Sequence, residues 1–116
     1  GAADCDLLVL GAASHSVQAS HADRICAARV VEGANFGLTE DARLRLHERG
    51  VQVIPDILAN SSSAAMVALQ MASGNRLSDA TLWSRIEDAI QSATRHSASR
   101  ASAEATTLRE AWIQSL

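Results

Sequence analysis

Two asparagines, Asn35 and Asn60, are the side chains best placed by their surroundings to hold a small polar molecule. Each follows a short apolar run, Val30-Val31 in the first case and Val53-Ile54 in the second, with Gly, Pro or Asp between. An Asn amide carries two donors and an acceptor, which suits a ribose hydroxyl or a carboxamide. Either Asn could equally serve as a turn residue that tolerates left-handed backbone. Asp56 reads as a general base or as a cap for a neighbouring turn. Ser61-Ser62-Ser63 offers hydroxyls and amide donors to an anion, or simple N-capping of a helix. His15, His21 and Cys26 match no metal-ligand spacing, and Ser14-His15 are only sequence neighbours, so neither a metal centre nor a catalytic triad is expected.

These residues need a frame. Apolar β-branched runs ending in Gly, Pro, Asp or Asn clusters read as buried parallel strands whose carboxyl ends open into a crevice. Leu7 to Leu10 predicts a first strand, with Ala12 in its exit loop, and Ala28 to Glu32 a second. Val51 to Ile54 predicts a third, closed by Pro55. Between them, Ser20 to Ala28 predicts a short helix with Ala22, Ile25 and Cys26 inward. Thr39 caps another over Glu40 to Arg49, with Gly50 as its stop. Helices follow from Ser61 to Met71 and from Ser78 or Asp79 onward. His96 to Ala105 reads as a loose loop or a poor helix, and Thr107 to Glu110 is a capping box opening the last helix. The expectation is an α/β fold: a partial Rossmann-like parallel sheet of about three strands with a C-terminal helical tail. Residues 1–76 form the sheet-bearing part and 77–116 the helices packed on it, in one structural domain. A first strand this close to residue 1 leaves an open sheet edge.

Composition narrows the function. The 116 residues are 47% hydrophobic and 20% charged with a formal net charge of −3, so a folded domain is expected and no nucleic-acid footprint is present. All ten basic residues are Arg, which removes amine chemistry. Cys5 and Cys26 are too few for a disulfide framework and read as buried reduced thiols. No secretory signal or membrane-length apolar run is seen, and a cytoplasmic protein is the expectation. There is no G-x-G-x-x-G, the turn that binds a dinucleotide pyrophosphate.

Over nearly its whole length the chain resembles the glutamate/leucine/phenylalanine/valine dehydrogenase family. The resemblance rests on Cys5-Asp6-Leu7-Leu8-Val9, Val31-Glu32-Gly33-Ala34-Asn35, Leu38-Thr39-Glu40-Asp41-Ala42, Arg49-Gly50-Val51 and Ile54-Pro55-Asp56-Ile57-Leu58-Ala59-Asn60. It implies the carboxyl-terminal half of an NAD(P)-binding domain, in a family that oxidatively deaminates L-amino acids to 2-oxo acids by hydride transfer to NAD or NADP. It implies that Ala12, Asn35 and Asn60 face the cofactor, and that Asn60 and Val67 lie by the substrate. It assigns no catalytic residue to this stretch. The family usually has Ala-Gly-Gly where Ser61-Ser62-Ser63 stands, and in glutamate-specific members a Ser where Val67 stands. A piece of such an enzyme would contribute one cleft wall, bind the cofactor weakly or not at all alone, and self-associate as a homo-oligomer. The alternative is a non-catalytic binding or interaction module derived from the same fold.

Overall fold

The computed structural model of the chain describes residues 4–116. Three parallel strands, β1 (Leu7–Leu10), β2 (Arg29–Glu32) and β3 (Gln52–Ile54), lie in the order 1-2-3. Leu8 aligns with Val30 and Val30 with Val53. Alternate side chains then share one face, where Leu10, Val30 and Val53 are buried with Ala22, Ile25, Ala27, Leu38, Ala42 and Leu46. That cluster is the main core, and it sits under α1 (Ala19–Ala22) and α2 (Glu40–Glu48). The remaining helices are α3 (Asp56–Ala59), α4 (Ser62–Ala72), α5 (Asp79–Glu104) and α6 (Leu108–Gln114). A second, smaller cluster of Ala101, Leu108 and Ala111 joins α5 and α6 to Ile54 of β3. Among the described residues β1 pairs on one side only, and Leu7 and Val9 on its other face are more than half exposed.

Local chemistry accounts for most boundaries. Thr39 Oγ1 accepts the Ala42 N–H at 3.3 Å, and Gly50 (φ +75°) closes α2 with its N–H on the His47 carbonyl. Ser78 caps α5 through the Thr81 N–H, and Thr107 with Glu110 forms the capping box of α6. Pro55 lies at the N-cap of α3, a one-turn helix that the sequence pattern did not announce.

Three expectations are corrected. The helix expected over Ser20 to Ala28 stops at Ala22: the Arg24 and Ile25 N–H groups bond three residues back, to His21 and Ala22, and Arg49, at the C-cap of α2, donates to the carbonyls of Ala22 and Ile25 in that turn. That also turns Cys26 outward: it is exposed, and Cys5 is half-buried, so neither is the buried thiol expected. His96 to Ala105 is neither loop nor poor helix but the regular last turns of α5, ending at Ala105 in the left-handed region (φ 52°). Its small residues are what permit this, since Ser97, Ala98 and Ala101 allow close approach to α6 and β3.

A buried carboxylate, Glu32, stands at the end of β2 in the core. Its carboxylate is fully buried, accepts the Leu38 N–H at 2.9 Å and takes both oxygens to Arg43 Nη2 at 3.2 Å. Arg43, 3% exposed, also pairs with Glu40, while its Nε is buried without a partner. Removing one partner of a buried pair leaves the other charge stranded. Arg43→Met is expected to cost about 3–5 kcal/mol. Glu32→Gln should cost less, because an amide oxygen remains for the Leu38 N–H and Glu40 remains for Arg43. Urea denaturation of the two variants gives the ranking, and equal midpoints would contradict it.

Candidate functional site

The strand ends carry three loops that meet. The β2 exit, 33–37, folds back over the end of β1: Ala34 donates to the Leu10 carbonyl at 2.8 Å, and a Cβ on Gly33 would stand 3.3 Å from that same oxygen. Glycine at 33 therefore fits where a side chain would press on backbone. The β1 exit joins from the other side. Ser14 Oγ donates to the Asn35 carbonyl at 2.7 Å, the His15 N–H to the Phe36 carbonyl at 2.6 Å, and Val17 bridges to Leu38. His15 (φ 54°) and Phe36 (φ 51°) both adopt the left-handed backbone that non-glycine residues rarely occupy.

The two asparagines come together. Asn60, at the C-cap of α3, donates from Nδ2 to Asn35 Oδ1 at 2.6 Å, across the ends of β2 and β3. Both are exposed. The bond uses one donor of Asn60 and one acceptor lone pair of Asn35, which leaves the Asn35 amide NH2 and the Asn60 carbonyl oxygen facing solvent as a donor–acceptor pair. Such a pair is complementary to a carboxamide or a ribose diol. Ala12 lies exposed on the β1 exit loop that meets the Asn35 loop. Val67 lies on α4, roughly 9 Å along the axis from Ser61, and is 56% exposed. Ser61 does not cap α4 but donates from Oγ back to the Leu58 carbonyl. His15, His21 and Cys26 do not converge, and among the described residues no group of three or more His, Cys, Asp or Glu side chains is placed to hold a metal. No helix among them is long and apolar enough to cross a membrane.

Asp56 is a structural carboxylate. Its Oδ2 accepts the Phe36 N–H and its Oδ1 the Ile57 N–H, each at 2.8 Å, and Arg109 Nη1 of α6 reaches Oδ1 at 2.5 Å. Burial works against the charged form, but the Phe36 N–H, the Arg109 hydrogen bond, the Ile57 N–H and the Arg109 charge outweigh it, and the group sits below the usual aspartate range. Both oxygens are taken by donors of the fold itself, which is the capping role of the two sequence readings. Phe36, Arg109 and Glu32 are the positioning groups that motif reading passed over. Glu32 carried a faint signal, a carboxylate in the last strand position before a glycine turn. Arg109 carried none, being 53 residues from Asp56.

A model of the Glutamate/Leucine/Phenylalanine/Valine dehydrogenase family matches residues 2–115. This chain belongs to that family. Its relatives include the catabolic NAD-specific glutamate dehydrogenase RocG of Bacillus subtilis, 41% identical over 73 residues, covering 63% of this chain and 17% of that protein. An NADP-specific glutamate dehydrogenase of Saccharolobus shibatae is 39% identical over 79 residues, covering 66% of this chain and 19% of that protein. Among solved structures, the hetero-hexameric glutamate dehydrogenase of Thermus thermophilus in its Leu-bound form superposes with a TM-score of 0.75 at 27% identity, over 92% of this chain and 26% of that one. The matched stretches thus span less than a fifth of the length of these two curated dehydrogenases. The α/β fold and the parallel sheet agree with the family assignment.

Because the Asp56 carboxyl is held below its unfolded value, its contribution to stability is complete above about pH 5 and is lost as pH falls through its folded value. Wild type should therefore lose stability between about pH 4 and pH 2 more steeply than Asp56→Asn, which lacks that titration. Subtracting the two chemical-denaturation pH profiles removes the contribution of Glu110, which the Thr106 hydroxyl and Thr107 N–H also depress. Parallel acid limbs would refute the assignment.

Proposed function

We propose that this chain is part of an NAD(P)-dependent amino-acid dehydrogenase and supplies one wall of its cofactor and substrate crevice. The observation that carries the reading is the Asn60–Asn35 bond at the carboxyl ends of β2 and β3, where open parallel sheets take their ligands. The free Asn35 NH2 and Asn60 carbonyl match a nicotinamide carboxamide or ribose in hydrogen-bonding type, and Ala12 lets the β1 exit approach without a bulky side chain. When bound, NAD or NADP would supply the hydride acceptor for oxidation of an L-amino acid to its 2-oxo acid. Asn60 would also border the substrate, and Val67 would offer it an apolar contact rather than a hydroxyl.

In this reading the residues of the chain bind and orient; they do not move protons. Asp56 is committed to the Phe36 N–H and Arg109, and the sequence has no lysine. The pyrophosphate-binding turn and the proton-transfer groups belong to polypeptide outside these 116 residues. The open β1 edge, with Leu7 and Val9 exposed, supports self-association of the isolated chain into homo-oligomers. Light scattering across a concentration series should then give a mass above that of one chain, and a monomer throughout would remove that element.

The direct test is titration of the isotopically labelled chain with nicotinamide mononucleotide. The Asn35 and Asn60 side-chain NH2 resonances should shift together, with half-saturation on the order of millimolar, as expected for half of a site. Shifts confined to the α5–α6 surface, or none at either Asn, would overturn the reading.

A further inference from the structure

The C-terminal helix reaches the crevice through one side chain. Arg109 grips the Asn35 loop at two points: through Asp56, whose other oxygen holds the Phe36 N–H, and directly, with its guanidinium carbon 5.7 Å from the centroid of the Phe36 ring. Phe36 needs such a grip. Its backbone is left-handed and its side chain half exposed, so neither local preference nor burial keeps it in place. Asn35 immediately precedes it, and the direction of the Asn35 amide follows from that backbone. The opposing contacts, from Ser14 and His15, come from a loop whose residues 11–16 are all exposed, whereas the Asp56 and Arg109 side chains are 5% and 18% exposed. The sheltered side of the loop is therefore the Arg109 side.

Docking of α6 does not require this arginine. Leu108 and Ala111 are buried against Ala101 and Ile54, and Thr107 with Glu110 caps the helix. We infer that Arg109 is a positioning residue for the crevice, setting the Asn35 amide through Asp56 and the Phe36 ring rather than serving to anchor the tail. The inference rests on the dehydrogenase reading for its ligand, but its structural half is tested without one.

The experiment compares Arg109→Met, Arg109→Lys and Thr107→Ala in the labelled chain. Arg109→Met should raise the exchange rate of the Phe36 amide by about tenfold or more, move the Asn35 side-chain resonance, and weaken nicotinamide mononucleotide binding by about fivefold. Arg109→Lys, which keeps a charge for Asp56 but not the planar group over the ring, should restore part of the protection. Thr107→Ala loosens the α6 cap without touching Asp56, and should leave the Phe36 and Asn35 signals where they are in wild type. The inference fails if Arg109→Met leaves those signals unchanged, or if Thr107→Ala reproduces its effects. Failure of wild type to bind the mononucleotide would count against the dehydrogenase reading alone, since the exchange comparison stands independently.

Discussion

A carboxylate with no access to water organises this fold. Glu32 ends β2 inside the core, and its two oxygens are shared between the guanidinium of Arg43 and the N–H of Leu38. Burying such a charge is costly unless every lone pair has a donor. Here the donors come from α2 and from the chain leading into α2, so satisfying Glu32 obliges the five residues 33–37 to make one compact excursion and return. That excursion carries Asn35. The crevice is thereby tied to the core by an electrostatic requirement, and apolar packing does the separate work of holding α1 and α2 on the sheet.

Around that excursion the polar contacts are arranged from two directions. The Ser14 hydroxyl and backbone N–H groups of the β1 exit meet residues 35–37 on one flank, and the Asp56 carboxylate meets Phe36 on the other. Two strand-exit loops and the one-turn helix α3 are in this way cross-linked to one another, which is how a site on loops acquires definition. The left-handed backbone at both His15 and Phe36 is the visible cost of closing these loops together.

Much of this was legible in the residues. The strands announced themselves by apolar runs, α2 and α6 by their caps, and the asparagine pair by position after consecutive strands. What escaped reading depended on contacts between distant segments. The last turns of α5, Ser- and Ala-rich, show no apolar stripe to read and are secured by close packing on α6. The turn that ends α1 is held by Arg49, more than twenty residues away in sequence. Asp56 was ambiguous between base and cap until Arg109 was seen beside it, and no spacing rule links positions 56 and 109. Val67 was assigned by likeness alone, and it stands exposed on α4.

The 26-residue α5 has a mechanical meaning as well as a packing one. At 1.5 Å per residue it is a rod of about 39 Å, and α3, α4 and α6 all lean on it. The helix that bears Val67 and the helix that bears Arg109 are therefore mounted on a common beam. Both helices, and α3 with Asn60 at its end, thus take their placement from one continuous helix.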